Sequence, residues 1–371
     1  MKYKYKVCVY AICKNEEKFV DRWYESIKEA DEIYVLDTGS TDNTVNKLKE
    51  HGVFVKVEEI KPWRFDIARN KSLDLVPNDT DICVCVDLDE VYEPGWRDIL
   101  EKYWKNDTTR LRHTYNWKIE NGKPVVTFYY EKTHKKEGYR WTHPVHEVLT
   151  YDLGNENVVT CDEIILNHYP DDNKSRGSYL ELLELSVKED PNDDRNMHYL
   201  GREYMYHRRW NECIDTLIKH LNLKSATWKD ERAASMRFIA RSYKNLNRFE
   251  ESTLWYLKAI DEAPYLRDGY VEYGMLLYEG KQYIECVNYL TKALTIKKHE
   301  KTYINEIFSW DYTIDNLLSC CYFYLGLKDI SLFYINRALD YDKDNRLLKN
   351  NLEIIKNAEW SAFFFNSRLG F

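Results

Sequence analysis

The 371-residue sequence lacks several features that mark whole classes of protein. No stretch approaches the ~18 uninterrupted apolar residues that a membrane-spanning helix needs. The opening segment MKYKYKVCVYAICKNEE has a short apolar run and no small-residue cleavage site, so it does not fit a secretory signal peptide. The sequence also lacks an excess of basic residues, since its 54 Lys and Arg are outnumbered by 62 Asp and Glu, which gives a net charge of −8. These absences argue against a membrane-spanning helix and against a general nucleic-acid binder. They do not exclude a local basic patch.

Paired cysteine motifs are missing as well. The nine cysteines are an odd number, and neither Cys83 with Cys85 nor Cys320 with Cys321 forms a C-x-x-C pair. Buried reduced thiols are therefore expected. Together with the missing signal peptide, reduced thiols favour a cytoplasmic location.

The first half of the sequence alternates short apolar runs with helical spacing. Strand-like and helix-like segments follow one another at residues 7–13, 16–29, 33–36, 45–48, 53–57 and 82–86. The last of these is almost entirely apolar, which indicates a strand buried on both faces. Strands that alternate with short helices predict an α/β domain with a mostly parallel sheet. From about residue 105 to 170 we expect shorter β and loop segments.

The second half, from about residue 176, has sparse prolines and helical spacing throughout. Each of three alignable segments contains a helix, a polar turn, an aromatic residue and a second helix. They cover residues 199–219, 238–260 and 273–294, and a looser copy covers 317–339. Phe249 and Tyr283 are 34 residues apart, as are Ala259 and Ala293. This period resembles tetratricopeptide repeats, which stack helix pairs into a solenoid. An irregular helical bundle is the alternative.

Four polar clusters of the first half occur together and in order. They are residues 13–17 (CKNEE), 37–42 (DTGSTD), 63–70 (WRFDIARN) and 87–90 (DLDE). Three of them follow predicted parallel strands, whose carboxyl ends bind ligands in open α/β sheets. Asp87 and Asp89 leave a buried strand together, which requires partner groups or a cation. Carboxylates suit Mg²⁺ or Mn²⁺, which commonly bridge to substrate phosphates. A single cluster could be a solvated loop or a helix cap, but the four in this order predict one ligand site.

The segments AICKNEE, YVLDTGSTDNT, WRFDIARN and VCVDLDE resemble the core motifs of family 2 glycosyltransferases. The resemblance is close over residues 5–100 and looser over 100–170. With the repeats behind it, the sequence is similar to a bacterial branch that includes the S-glycosyltransferases of glycopeptide bacteriocins such as sublancin. This implies a Rossmann-like α/β GT-A domain with a mostly parallel sheet at residues 1–175. An all-α tetratricopeptide-like solenoid would follow at residues 176–371.

The resemblance also implies roles for individual residues. Asp37 would hold the uracil or ribose of a UDP-sugar. Asp87 and Asp89 would form the D-x-D pair, with Asp89 the more direct metal ligand. The residues expected to contact the donor are Asn15, Glu16, Asp37, Ser40, Arg69, Asn70 and Asp87.

Two later segments complete the expected site. WTHPVHE, at residues 141–147, is similar to a V-H-E segment of the family, and Asn167-His168-Tyr169 matches a further segment loosely. In the latter Tyr follows His directly, so His168 is either a third metal ligand or a packed structural histidine. Inversion by direct displacement needs a general base. Glu147 is the candidate for that base, and His146 is the alternative.

The resemblance thus implies a metal-dependent, inverting hexosyltransferase that uses a nucleotide-sugar, with UDP and with Mn²⁺ or Mg²⁺ expected from the family. Its acceptor would be a peptide, a protein or a glycan. The repeats would present a surface to that acceptor or form a homodimer contact. Two other interpretations stay open. One is a non-catalytic repeat adaptor with a degenerate nucleotide-binding domain, and the other is a transferase that acts on an envelope glycolipid.

Overall fold

The computed structural model describes residues 3–120, 122–171, 179–299 and 302–358, and these form two compact units. Unit 1 runs to Asp190 and unit 2 begins at Pro191, except that Lys301–Tyr303 is grouped with unit 1. The expected domain boundary between residues 175 and 176 lies outside the described residues and stays a prediction. None of the described helices is both long and apolar enough to span a bilayer.

The described residues of unit 1 form ten strands and five helices. The strands are β1 (Val7–Cys13), β2 (Glu32–Asp37), β3 (Phe54–Val57), β4 (Ile82–Cys85), β5 (Glu90–Tyr92), β6 (Arg110–Glu120), β7 (Lys123–Lys135), β8 (Tyr139–Thr142), β9 (Val148–Tyr151) and β10 (Val158–His168). The helices are α1 (Val20–Ile27), α2 (Thr44–Glu50), α3 (Phe65–Leu73), α4 (Trp96–Tyr103) and α5 (Tyr179–Glu189).

Eight of these strands form one sheet in the order β3-β2-β1-β4-β7-β6-β10-β5, and β8 pairs with β9 in a separate hairpin. The strands β3, β2, β1 and β4 run parallel, as do β6 and β10. The other three neighbouring pairs in the sheet are antiparallel. The predicted mostly parallel sheet is therefore confirmed.

The expectation of shorter β and loop segments after residue 105 differs from the structure. The strands β6, β7 and β10 are 11, 13 and 11 residues long. Most of β7 is only half-buried, so the strand carries charged and polar side chains among its apolar ones. A half-buried strand does not need strict apolar alternation, and its sequence signal is therefore weak.

The core of unit 1 surrounds β1, all seven of whose residues are buried. Trp23 on α1 is fully buried against it, and its indole N–H donates to the carbonyl of Val86 at 3.3 Å. Because β1 lies between β2 and β4, the loops that leave these three parallel strands meet at one edge of the sheet. This edge carries three of the four polar clusters.

The described residues of unit 2 form nine α-helices and one 3₁₀ turn (Ile307–Ser309). The helices are α6 (Asp194–Tyr206), α7 (Trp210–Asn222), α8 (Lys229–Asn245), α9 (Phe249–Glu262), α10 (Arg267–Glu279), α11 (Tyr283–Thr295), α12 (Thr313–Tyr324), α13 (Lys328–Tyr341) and α14 (Arg346–Asn357).

Each of the four predicted repeats coincides with a helix pair: α6 with α7, α8 with α9, α10 with α11, and α12 with α13. A three-residue turn joins the members of each pair, and its middle residue is left-handed. These residues are Arg208, Asn247, Lys281 and Gly326, with φ of 58°, 60°, 59° and 79°. The same short turn in every pair makes the helices antiparallel neighbours, as the repeat requires.

Small residues set the distance between paired helices. A Cβ added to Gly201 would lie 2.3 Å from the side chain of Leu217, and one added to Gly274 would lie 2.7 Å from Leu290. In α9 the hydroxyl of Ser252 donates to the carbonyl of Ala240 in α8 at 2.9 Å. The backbones can approach this closely only where side chains are small. The predicted tetratricopeptide-like architecture is confirmed.

Candidate functional site

The loops that follow β1 and β2 are bonded to each other. The backbone N–H of Asn15 donates to the hydroxyl of Ser40 at 2.8 Å, and its side-chain oxygen accepts from the N–H of Thr41 at 2.7 Å. The N–H of Glu16 donates to the hydroxyl of Thr44 at 2.8 Å. Asn15 itself has a φ of 55°, in the left-handed region that asparagine tolerates better than most residues. The two loops therefore form one rigid rim at the edge of the sheet.

Asp37, the last residue of β2, supports this rim by accepting hydrogen bonds from it. Its side chain is fully buried, and one oxygen accepts from the N–H groups of Gly39 and Ser40 at 3.0 and 2.9 Å. The hydroxyl of Ser40 donates to its other oxygen. In this conformation the carboxylate supports a tight turn, in which Gly39 has a φ of 108°. A direct contact of Asp37 with a nucleoside stays a prediction.

Arg69, on α3, joins two carboxylates that are distant in the sequence. Its guanidinium donates to both oxygens of Asp87, with the Nη2–Oδ2 distance at 2.7 Å. Its Nε donates to Glu147 at 2.9 Å. Only 5% of the Arg69 side chain is exposed, so these ion pairs are shielded from water. The α3 motif, the end of β4 and the β8–β9 loop are thereby held together, as buried charges require.

Lys132, on β7, completes this charge cluster and was not predicted from the sequence. Its Nζ lies 3.2 Å from Oδ2 of Asp87. Burial alone would raise the pKa of Asp87, but the charges of Arg69 and Lys132 outweigh it and hold the pKa well below its ordinary value. No motif surrounds Lys132, and it reaches the site only because β7 pairs with β4.

Glu90 holds the D-x-D turn from inside the sheet. One carboxylate oxygen accepts from the backbone N–H of Asp87 at 2.8 Å, and the other accepts from the hydroxyl of Tyr115 at 3.0 Å. Burial raises the pKa of Glu90, Lys132 opposes this shift, and nearby Asp87 adds to it. Glu90 belongs to the predicted fourth cluster, but its role as a support for the turn emerges only from the fold.

Asp89 and His168 meet where β10 pairs with β5. Oδ2 of Asp89 lies 3.4 Å from Nε2 of His168. Nδ1 of His168 lies 3.0 Å from the carbonyl oxygen of Trp117, and a carbonyl only accepts, so Nδ1 carries the proton. Burial lowers the pKa of His168, and Asp89 outweighs that effect and raises it.

This arrangement fits a divalent cation. Metal-binding histidines commonly donate one ring N–H to a carbonyl and direct the other nitrogen at the ion, as His168 can do. Asp89 supplies a hard oxygen ligand beside it. Both oxygens of Asp87 already accept from Arg69, so Asp89 is better placed than Asp87 to bind an ion directly.

The loop between β8 and β9 has a strained backbone. His143 and His146 have φ of 77° and 52°, a region that non-glycine residues rarely adopt. The carbonyl of Pro144 accepts from the N–H of Phe65 at 2.9 Å, which anchors the loop to the start of α3. Such strain costs about 1–3 kcal/mol per residue and is concentrated at functional sites. The loop places Glu147 against Arg69.

Asn70 braces the same region rather than pointing into it. Its side-chain amide donates to the carbonyl of Trp141 and accepts from the N–H of the same residue, both at 2.8 Å. These bonds fix α3 against β8. A contact of Asn70 with the donor stays a prediction.

Comparison with known families matches one segment in each unit of the chain. Residues 8–148 match the family described as Glycosyl transferase family 2, and residues 238–265 match Tetratricopeptide repeat. The N-terminal unit carries a family 2 glycosyltransferase domain. The matched repeat spans the C-terminal half of α8 and all of α9. No curated protein sequence matches the chain.

Solved structures of repeat proteins are similar to part of the chain. The crystal structure of MamA protein has 17% identity and a TM-score of 0.35, covering 44% of this chain and 81% of that one. PilF of Pseudomonas aeruginosa has 11% identity and a TM-score of 0.37, covering 47% of this chain and 71% of that one. YrrB, a TPR protein with an unusual peptide-binding site, has 12% identity and a TM-score of 0.36, covering 48% of this chain and 83% of that one. Likenesses this weak carry no functional argument.

Within the family 2 domain, contacts join the predicted residues into three groups. The first comprises Asn15, Ser40 and Asp37, the second Arg69, Asp87 and Glu147, and the third Asp89 and His168. Glu16 joins the rim of the first group through its backbone. The ring of His146 lies edge-on to that of Tyr179, with centroids 5.6 Å apart.

Proposed function

We propose that the family 2 domain is an inverting, metal-dependent hexosyltransferase that uses a UDP-sugar. The observation that carries the proposal is the Asp89–His168 pair, 3.4 Å apart, in which Nδ1 of His168 donates to a carbonyl and Nε2 faces Asp89. This pair follows the turn that Arg69 and Lys132 hold through Asp87. A site of this composition suits a divalent ion and a diphosphate.

The charge balance of the cluster supports the need for a cation. Arg69 and Lys132 both contact Asp87, and Arg69 also contacts Glu147. Two positive side chains are therefore balanced by two carboxylates, and little net positive charge is left for a diphosphate. An ion held by Asp89 and His168, with Mn²⁺ or Mg²⁺ as the expected metal, would restore that charge. When bound, it would stabilise the negative charge that develops on the departing diphosphate.

Side chains of the domain would perform the remaining steps. Arg69 is fixed by Asp87 and Glu147 before the donor arrives, so little reorganisation is needed around the leaving group. Inversion requires a base on the face of the sugar opposite the leaving group. We assign that role to Glu147, which the strained loop and Arg69 hold in place, and His146 is the alternative. Asn15, Glu16, Ser40 and Asp37 would form the nucleoside side of the pocket.

For the acceptor we propose a peptide, a protein or a glycan, presented by the repeats. Unit 2 has a cavity of about 460 Å³ lined in part by Tyr256, Glu272 and Phe308, which combines aromatic and charged side chains. Such a surface suits a peptide or a sugar chain. A homodimer contact is the other role we consider for the repeats. All nine cysteines are buried and none is in a disulfide, which favours a reducing cytoplasm as the location.

A donor screen tests the proposal. The purified chain would be incubated with a panel of nucleotide-sugars, with Mn²⁺, with Mg²⁺ or with EDTA, and donor hydrolysis would be followed by release of the nucleotide. Acceptors would then be tested by mass spectrometry. We expect UDP-sugar hydrolysis that needs a divalent ion and is lost in Asp89→Asn. Asp344→Asn, at a carboxylate 98% exposed in unit 2, is the matched control. Turnover that is equal in EDTA, or absent with every donor, would overturn the proposal.

A further inference from the structure

Three buried side chains able to bind a metal converge in unit 2. His198 lies on α6, His220 in the last turn of α7 and Glu231 in the first turn of α8. Their exposed fractions are 0%, 0% and 4%. One ligand atom from each residue lies within 4.8 Å of the other two. Three helices of two successive repeats therefore share one polar cluster inside the core.

Ser235, on α8, holds both histidine rings by the same nitrogen. Its hydroxyl oxygen lies 2.7 Å from Nδ1 of His198 and 3.0 Å from Nδ1 of His220. The Nε2 atoms of both rings are buried and make no hydrogen bond to any described residue. Leaving a buried polar atom without a partner costs about 1–3 kcal/mol. Two such atoms in one cluster call for a ligand that satisfies both.

The hydrogen bonds of the cluster allow both Nε2 atoms to be unprotonated, as such a ligand requires. A serine hydroxyl accepts up to two hydrogen bonds, so both histidines can donate Nδ1–H to Ser235. Both Nε2 lone pairs are then available at the same time. Nε2 of His220 already lies 3.5 Å from Oε1 of Glu231. This is the pattern of metal-binding histidines, in which the second ring nitrogen donates to an oxygen that fixes the ring.

The electrostatic surroundings favour neutral imidazole, the form that binds metals. Burial lowers the pKa of His198 well below its ordinary value, and nearby Arg202 adds to the shift. Arg237, which contributes as well, is ion-paired with Glu272, so its charge is largely balanced. The cluster lies at the C-terminal end of α7, where the helix dipole favours the positive charge of a bound metal ion. Glu231 brings a negative charge to the cluster.

We propose that His198, His220 and Glu231 form a structural site for a divalent transition-metal ion, with zinc as the expected ion. Two imidazoles and one carboxylate are a common zinc ligand set, completed by a water molecule. Ligand atoms of tetrahedral zinc are roughly 3.3 Å apart for bonds of ~2.0–2.1 Å. Small side-chain rotations would bring the three atoms to that spacing. The ion would clamp the first repeat to the second, and because the site is buried, it would enter while the chain folds.

Metal content of the full chain tests this site. The protein would be produced with added zinc, dialysed against EDTA and analysed by elemental mass spectrometry. Asp89→Asn would serve as the background, so that the proposed ion of the transferase domain does not contribute. In that background we expect about one zinc per chain, and less than about a tenth of that after His198→Gln or His220→Gln. His207→Gln, at a histidine 46% exposed, should retain the metal.

Cobalt gives a second readout that a purely structural role of the histidines would not produce. Chain produced with cobalt should show the visible absorption of a tetrahedral ion, and Glu231→Gln should change or abolish it. Ser235→Ala keeps all three ligands and should weaken metal retention about 10- to 100-fold while the helix content stays unchanged. Ser235→Ala therefore tests the metal site even if the histidine variants do not fold.

Refolding provides the deciding comparison. Asp89→Asn chain unfolded in EDTA and refolded with zinc should melt at a higher temperature than the same chain refolded without it, because the ion binds the folded state. Equal melting temperatures, a zinc content near zero in the Asp89→Asn background, or an unchanged content after His198→Gln would each refute the site.

Discussion

Replacing Asp89 with alanine tests the proposed reaction with little disturbance of the fold. Its side chain is 21% exposed and lies 3.4 Å from His168, while its carbonyl accepts from the N–H of Tyr169 at 2.8 Å. Alanine keeps the backbone bond. An ion pair that is partly exposed contributes up to about 1 kcal/mol, so the free energy of unfolding should fall by no more than that.

The expected effect on catalysis is much larger. A ligand that holds a catalytic ion stabilises the transition state by several kcal/mol. A loss of about 3–5 kcal/mol corresponds to a rate that is about 10²- to 10⁴-fold lower, since 1.36 kcal/mol is a factor of ten. His168→Ala should show a comparable loss. The double variant should lose little more than either single one, because both residues act through the same ion.

The assay is kcat/KM for donor hydrolysis or transfer at fixed Mn²⁺, with thermal melting as the measure of fold. Asp152→Ala is the matched control, since this carboxylate lies in the same unit, is 54% exposed and pairs with Arg140 on the surface. Activity of Asp89→Ala within about tenfold of wild type would refute the metal role. So would fully additive losses in the double variant.

Three further predictions follow from the structure. Asp37→Ala should weaken UDP binding by about tenfold or more, because the partly buried N–H groups of Gly39 and Ser40 lose their acceptor, which costs about 1–3 kcal/mol, and leave turnover at saturating donor nearly unchanged; unchanged affinity in calorimetry would remove Asp37 from the donor pocket. A chain ending at residue 172 should bind UDP but lose acceptor transfer. It should also be less soluble than one ending at Asp190, because the longer one keeps α5, whose Tyr179 packs against the rings of Phe65 and His146; equal behaviour in gel filtration would contradict this. Burial lowers the pKa of His113 to about 4, so the unfolded chain binds the proton first, and stability should fall as pH decreases from about 6.5 to about 4; melts at pH 7 and 5 should show a smaller loss for His113→Gln than for wild type.

Much of the architecture could be predicted from the sequence because its causes are local. The apolar run Val7–Cys13 is β1 residue for residue, and the two short runs after it lie within one residue of β2 and β3. The aligned repeats coincide with helix pairs because helical spacing and small residues act within one turn or one neighbouring helix. The weak alternation of β7 is the exception, since a half-buried strand leaves little pattern to detect.

The polar clusters could also be predicted from the sequence, because the functional residues of each motif are close neighbours in the chain. Asp37 ends β2, and Asp87 and Asp89 follow β4, as expected. The rigid rim that joins Asn15 to Ser40 could not be predicted in detail, since it depends on two loops meeting across neighbouring strands.

Sequence alone determined that a family 2 transferase domain with an acidic strand end precedes a series of helical repeats, because these properties reside in local patterns and ordered motifs. Only the tertiary structure decided which distant side chains meet. Lys132 reaches Asp87 through the pairing of β7 with β4, and His168 reaches Asp89 through the pairing of β10 with β5. Strand order and register are set by the packing of the whole domain, so no segment of the chain encodes these contacts by itself.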